Sequence, residues 1–155
     1  MLQRGCYELS RYQIDQLAKK AFVKTDSGQL IVCRELVGRN PSVLAKAIDL
    51  DIDPQIRLLI GETDFVHLFV QEEQLMPFMP IVRCKDIDQA IDFALKAEHG
   101  YGHTSIIHSK NIENMSKMAR LVNTTIFVKN GPSYAGLGIG GEGYTSYSIA
   151  SPTGE

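Results

Sequence analysis

Residues 79–128 read MPIVRC KDIDQAIDFALKAEHGYGH TSIIH SKNIENMSKMARLVNT TIFV, short apolar runs separated by two segments of helical spacing. The runs Met79 to Cys84, Thr104 to His108 and Thr125 to Val128, with Ile56 to Ile60 (IRLLI) before them, have the length and composition of strands buried on both faces. Ile87, Ala90, Ile91 and Ala94 line one face of a helix predicted over Asp86 to Glu98, and Ile112, Met115, Met118, Ala119 and Val122 line one over Ser109 to Val122. The strands begin roughly twenty to twenty-five residues apart, which suits right-handed βαβ crossovers. The fold class is therefore α/β, a parallel sheet with βαβ crossovers covered by helices.

Upstream, Ser10 with Gln13 three residues later forms a capping-box pattern, and Ile14, Leu17, Ala18, Ala21 and Phe22 follow at helical spacing, predicting a helix over Arg11 to Phe22. Thr25 to Gly28 reads as a turn and Leu30 to Leu36 as a short strand, weakened by Arg34 and Glu35. Asn40-Pro41 offers an N-cap with proline at the first helical position, and Val43, Leu44, Ala47 and Ile48 supply an apolar face for a helix ending before Asp53-Pro54.

The chain has 155 residues, 44% hydrophobic and 22% charged, enough for a single domain over 1–155 with its own core. A formal net charge of -2 and the lack of any Lys/Arg cluster give no support for a nucleic-acid partner. No apolar run is long enough to cross a membrane, and MLQRGCYELS lacks the apolar stretch of a signal peptide, so the expected location is cytoplasmic, with no membrane partner. Cys6, Cys33 and Cys84 are odd in number and lack C-x-x-C spacing, which argues against a disulfide framework and a zinc site. Cys84, ending an apolar strand, reads as a packed, inert thiol, and Cys6 as more exposed; neither reads as a nucleophile.

After the strand-like TTIFVK of Thr124 to Lys129 comes NGPSYAGLGIGGEGYTSYSIASPTGE, in which six glycines fall between Gly131 and Gly143. Such a backbone approaches a ligand closely, where a Cβ would intrude. Gly136, Gly138 and Gly141 satisfy G-x-G-x-x-G, but a dinucleotide fingerprint needs a tight turn directly after a strand and a helix that receives the pyrophosphate. Here Asn130 to Ala135 intervene, and Tyr144 to Ser148 is a poor helix former. The segment reads as an irregular loop between two strands.

Glu72 and Glu73 precede Pro77 and an apolar strand; adjacent carboxylates do not share a helical face, so a solvated role and a ligand role both stand. His99, His103 and His108 are clustered, yet His103 and His108 differ by an odd number of strand positions and are expected on opposite faces, so no metal site is predicted. His103, entering the strand, is the histidine expected to face a ligand.

In EEQLMP (Glu72 to Pro77), EHGYGHT (Glu98 to Thr104) and above all TTIFVKNGPSYAGLGIGGEGYTSYSIASPTGE, the chain resembles the CoA-acylating aldehyde dehydrogenases, the acetaldehyde and propionaldehyde enzymes of ethanolamine and propanediol utilisation. The resemblance runs from about Leu2 to Glu155 and covers one part of a much larger enzyme. It implies part of the aldehyde dehydrogenase catalytic domain, and a parent reaction in which a cysteine thiolate attacks the aldehyde, hydride passes to NAD and the thioester passes to coenzyme A. It also implies that this sequence begins just after the nucleophile segment: no catalytic residue is assigned, none of the three cysteines matches the nucleophile, and the NAD-binding domain is absent.

By the same resemblance Glu73 matches the second glutamate of an E-E-x-F-G-P pattern that hydrogen-bonds the nicotinamide ribose, and Leu75 stands where an aromatic residue near the nicotinamide usually lies. Asn130, Gly131, Pro132, Ser133, Gly136 and Gly138 are implied to line the acyl and CoA pocket. The implied partners are a small aldehyde, CoA, and the missing N-terminal half or further copies of the chain. The implied setting extends to a bacterial microcompartment. On this reading the isolated chain is an inactive portion of the dehydrogenase that binds neither cofactor alone. The alternative is a non-catalytic CoA-binding or protein-interaction module derived from the same fold.

Overall fold

A computed structural model describes residues 5–139, which divide into two compact units meeting in sequence at Arg83 and Cys84. In the first unit, strand β1 (Cys6–Glu8) leads into helix α1 (Arg11–Ala21). The capping box forms as the sequence predicts: Gln13 N donates to Ser10 Oγ at 3.4 Å and Ser10 N donates to Gln13 Oε1 at 2.8 Å. The stripe Ile14, Leu17, Ala18 and Ala21 is buried, the first two completely.

Strands β2 (Phe22–Lys24) and β3 (Leu30–Val32) form an antiparallel hairpin around the Thr25 to Gly28 turn, in which Gly28 N donates to Thr25 O. The strand expected to reach Leu36 stops at Val32, because Leu36 N already closes a turn onto Cys33 O. Helix α2 (Pro41–Lys46) starts with proline as its cap pattern predicts, although the Asn40 side chain makes no cap bond.

Strand β4 (Leu58–Thr63) lies between β1 and β5 (Phe78–Val82), parallel to both, with Leu59 opposite Tyr7 and Phe78. It starts two residues later than its apolar run and continues through Gly61, Glu62 and Thr63, because the ladder with β5 extends to Thr63 and Val82. A Cβ at Gly61 would lie 2.5 Å from Ile14 Cδ1 and 3.1 Å from the Leu9 carbonyl oxygen, so α1 rests on the sheet where β4 has no side chain. The short helix α3 (Leu68–Gln71) inserts Phe69, whose ring meets Phe22 at 5.2 Å and Phe78 at 4.5 Å between centroids. Leu44 and Ala45 of α2 join the same core.

In the second unit, α4 (Ile87–Ala97) precedes β6 (Thr104–Ile107), and α5 (Ile112–Leu121) precedes β7 (Ile126–Lys129). The two strands pair in parallel, with Thr104 opposite Ile126, as a βαβ crossover requires. Ile91, Ile107 and Met118 form the core, and Ile87, Met115, Val122 and Phe127 pack on it. A 3-10 helix over Ser133–Leu137 packs beside both strands.

Burial on both faces holds for β4 but not throughout: Ile81 of β5 is 36% exposed and Ile106 of β6 38%. Two residues assigned to the apolar face of α5 also lie outside it. Asn111 caps α5 by accepting from Glu113 N and Asn114 N, which puts Ile112 at the first helical position, ahead of the packed turns and 72% exposed. Ala119 follows Met118 directly, about 100° around the helix from it, and is exposed.

Candidate ligand-facing loops

The EEQLMP loop belongs to the first unit. Gln74 Nε2 donates to Phe78 O at 3.3 Å, and the Leu75 carbonyl accepts from Gly38 N at 3.0 Å. Met76 is buried beneath, and Leu75 takes φ +53° with its side chain 66% exposed. Glu73 is exposed and its carboxylate has no hydrogen-bond or ion-pair partner among the described residues. An unengaged carboxylate beside an exposed apolar side chain on a pinned backbone is chemically suited to a hydroxyl-bearing ring.

The same unit holds a polar network that sequence reasoning missed. Arg11 Nη2 donates to Asp64 Oδ2 at 2.7 Å and Arg11 Nε to Asp15 Oδ1 at 3.2 Å. The hydrogen bond from Arg11 is the first cause holding Asp64 below the usual carboxylate range, and the same bond raises Arg11. His67 Nδ1 accepts from Phe69 N at 3.2 Å, capping α3, while its Nε2 lies 3.3 Å from Asp15 Oδ1. With Nδ1 accepting, the neutral ring carries its proton on Nε2. The Arg11 and Asp15 spacing of four was readable as a helical ion pair; the links to Asp64 and His67 are long-range and left no local signal.

In the second unit the EHGYGH loop is organised by Glu98. Its carboxylate accepts from Gly100 N through Oε2 and from His103 N through Oε1, both at 3.1 Å. Gly102 O accepts from Thr125 N and Thr125 Oγ1 at 2.8 and 3.0 Å, fastening the loop to β7. His103 is exposed, with Nδ1 2.6 Å from Thr104 Oγ1. Among the described residues no three His, Cys, Asp or Glu side chains are grouped to hold a metal ion.

The segment after β7 is more ordered than an irregular loop. Asn130 takes φ +54°, and its side-chain amide bridges Ser109, accepting from Ser109 N at 2.8 Å and donating to Ser109 O at 2.9 Å. Pro132 precedes the 3-10 helix, and Gly138, at φ +85°, ends it with its N–H on Ala135 O. This is the proline-before, glycine-after pattern of helical turns, a signal present in the sequence. A Cβ at Gly136 would run into Ile126 Cγ2 and meet Val128 Cγ2 at 3.1 Å, so this glycine is required by packing on β7. Gly131 is half-buried, while Pro132 and Ser133 are exposed. The remaining glycines Gly140, Gly141 and Gly143, and the strand expected over Tyr144 to Ser148, lie outside the described residues.

The three cysteines form no disulfide among the described residues and are half-buried: Cys6 in β1 opposite Leu58, Cys33 after β3, and Cys84 beyond the end of β5.

No family model matches the chain. The acetylating acetaldehyde dehydrogenase EutE of Salmonella typhimurium is 44% identical over 96% of it. The CoA-propanoylating propanal dehydrogenase of Citrobacter freundii is 43% identical over 97%. Its relatives are CoA-acylating aldehyde dehydrogenases. The chain spans about a third of each, 32% of both proteins' lengths.

Solved structures superpose on the chain over nearly its whole length. The propionaldehyde dehydrogenase of Rhodopseudomonas palustris, a structure with bound propionyl-CoA, matches 99% of this chain and 33% of its own, at TM-score 0.86 and 43% identity. The propionaldehyde dehydrogenase of the Clostridium phytofermentans fucose utilisation microcompartment matches 99% of this chain and 34% of its own, at TM-score 0.87 and 38% identity. An engineered glycolyl-CoA reductase with bound NADP+ matches at TM-score 0.86 and 42% identity, again over 99% of this chain and 34% of its own. The α/β fold expected from the sequence is thus that of a part of the acylating aldehyde dehydrogenases.

Proposed function

We propose that this chain is a portion of the catalytic domain, both units included, of an NAD-dependent, CoA-acylating aldehyde dehydrogenase that converts acetaldehyde or propionaldehyde to its acyl-CoA. The observation that carries the reading is end-to-end similarity: 44% identity over 96% of the chain to an acetylating acetaldehyde dehydrogenase. The parent location is a microcompartment lumen or the cytoplasm. The nicotinamide coenzyme, when bound, supplies the hydride acceptor. Glu73 then accepts hydrogen bonds from ribose hydroxyls, and the exposed Leu75 gives an apolar surface in place of an aromatic contact. The fit is favourable, since the Glu73 carboxylate has no competing donor among the described residues.

Asn130, Gly131, Pro132, Ser133, Gly136 and Gly138 line the acyl and CoA pocket. Their contribution is shape: Asn130 fixes the end of β7 to Ser109, and Gly136 lets the turn lie flat on that strand. A close backbone surface of this kind orients a thioester without competing for its polar atoms. The nucleophilic thiolate comes from a segment outside this chain, so Cys6, Cys33 and Cys84 take no covalent part and the isolated chain does not turn over.

The test is CoA-dependent propionaldehyde oxidation by the purified chain, alone and co-expressed with the complementary two-thirds of the Salmonella enzyme. Activity only in the mixture, lost on Glu73→Gln at subsaturating coenzyme, supports the reading. Turnover by the chain alone overturns the inactive-portion assignment. Micromolar CoA binding by the chain alone, without complementation, favours the interaction-module reading.

A further inference from the structure

A cleft of about 680 Å³ opens in the first unit, and neither Glu73 nor Leu75 is among its lining residues. Its walls are Gly38, Arg39, Asn40 and Pro41 before and at the start of α2, Pro54 to Arg57 before β4, and Pro77 before β5. No acidic residue is among them. Arg39 and Arg57 both line it, and neither guanidinium has a hydrogen-bond or ion-pair partner among the described residues. Asn40 also keeps its side-chain amide free, since it makes no cap bond to α2. By contrast Arg11 and Arg83 each hold a carboxylate at 2.7 Å.

The backbone beneath these donors is fixed. Gly38 N donates to Leu75 O at 3.0 Å, Arg39 N to Leu36 O at 3.3 Å, and Arg57 N to Gly5 O at 2.8 Å. Pro41, Pro54 and Pro77 stiffen the three walls, so the entropy cost of bringing both guanidinia to one ligand is reduced. The acids closest in sequence, Glu35 four residues before Arg39 and Asp53 four before Arg57, line no part of the cleft, and Asp53 Oδ1 accepts from Gln55 N at 2.8 Å within its own turn. Planar guanidinia with no protein acceptor in a carboxylate-free cleft are the donor set for a phosphoanion, which each can hold through paired N–H groups.

We infer that the cleft between the α2 start and the β4 entry is a phosphoanion site, in which Arg39, Arg57 and Asn40 bind a phosphate or pyrophosphate group. The inference does not depend on the dehydrogenase reading.

The experiment is titration of the 15N-labelled chain with inorganic pyrophosphate and, in parallel, with ADP at constant ionic strength, read by backbone amide shifts. Saturable shifts at Gly38, Arg39, Gln55, Ile56 and Arg57 are expected. Arg39→Gln and Arg57→Gln should each weaken binding about tenfold or more, the usual worth of a charge-assisted hydrogen bond. Both arginines are exposed, so retained spectral dispersion elsewhere will establish that each variant is folded. Equal affinity for the two probes assigns free pyrophosphate, and preference for ADP with added shifts at Ser42 assigns a nucleotide. No saturable shift, shifts spread over surface lysines such as Lys19 and Lys117, or unchanged affinity in the doubly substituted chain would each overturn the site.

Discussion

The side-chain amide of Asn130 spans both backbone polar groups of Ser109, at 2.8 Å to its N and 2.9 Å to its O. It continues by one rung the ladder in which Asn130 N already donates to Ile107 O. The pairing of β6 and β7 therefore ends in a side chain that imitates a strand. Asn is also among the few residues with a Cβ that take φ +54° at small cost.

Replacing Asn130 separates those two roles. Asn130→Ala should destabilise the chain by about 1–2 kcal/mol, through the lost amide bridge and the left-handed backbone together. Asn130→Gly should cost less, since it keeps the conformation. Urea denaturation followed by circular dichroism gives both values, and equal stabilities for wild type and Asn130→Ala would refute the bridge's importance.

Gly136 and Gly138 should respond to alanine for different reasons. At Gly136 the new methyl strikes Ile126 and Val128, and the loss should be about 1–3 kcal/mol, as for overpacked sites. At Gly138 the penalty is conformational, about 1–2 kcal/mol. Truncating Ile126 to Val, which keeps its Cγ2, should not rescue Gly136→Ala, whereas Ile126→Ala should relieve the clash in a double-mutant cycle.

Gly61→Ala places a methyl against Ile14 Cδ1, which Ile14→Val removes. The single changes should cost about 1–3 and 0.5–1.5 kcal/mol respectively. The pair should fall short of their sum, with the Leu9 carbonyl keeping the rescue partial. Strict additivity in thermal melts would show that α1 moves away from β4 instead.

Asp64 supplies a pH dependence of known sign. Its folded pKa is lowered, chiefly by the hydrogen bond from Arg11, so its contribution is present above the unfolded carboxylate range near pH 4 and is lost as pH falls through the depressed folded value. Both partners are about half exposed, so the effect is small and screened by salt. Melting temperatures of wild type and Asp64→Asn should differ slightly at pH 7 and low ionic strength and draw together as pH falls below the carboxylate range. A gap that widens in acid would contradict the pairing.

Glu98→Gln should loosen the EHGYGH loop without unfolding the unit, because the glutamine's one amide oxygen can accept from only one of the two backbone N–H groups and its NH2 would face the other. Amide exchange at Gly100 and His103 should accelerate severalfold while that at Ile107 in β6 stays unchanged. No change at either residue would show that the loop is held by Thr125 alone.

Much of this was legible because it was local. The capping box at Ser10 and Gln13, the parallel β6 and β7 around α5, and the EEQLMP and glycine-rich segments are written in residues close in sequence. What escaped is made across distance. β1 is three residues long and exists only because β4 gives its backbone a partner. The boundary of β4 is set by its ladder with β5, and the exposure of Ile106 depends on which face the helices cover. The anchoring amide of Asn130 and the paired acceptors of Glu98 looked like ordinary loop polarity until the backbone donors were placed opposite them.

The pairing of Cys6 with Leu58 has a consequence in time. As the polypeptide leaves the ribosome, β1 emerges before β4, and its ladder to β4 must wait until α1, the hairpin, α2 and β4 have followed, so a long loop closes before those hydrogen bonds return any free energy. β6 and β7 bracket only one helix and their junction, and meet soon after synthesis. In the first unit, β1 is thus held for a late arrival.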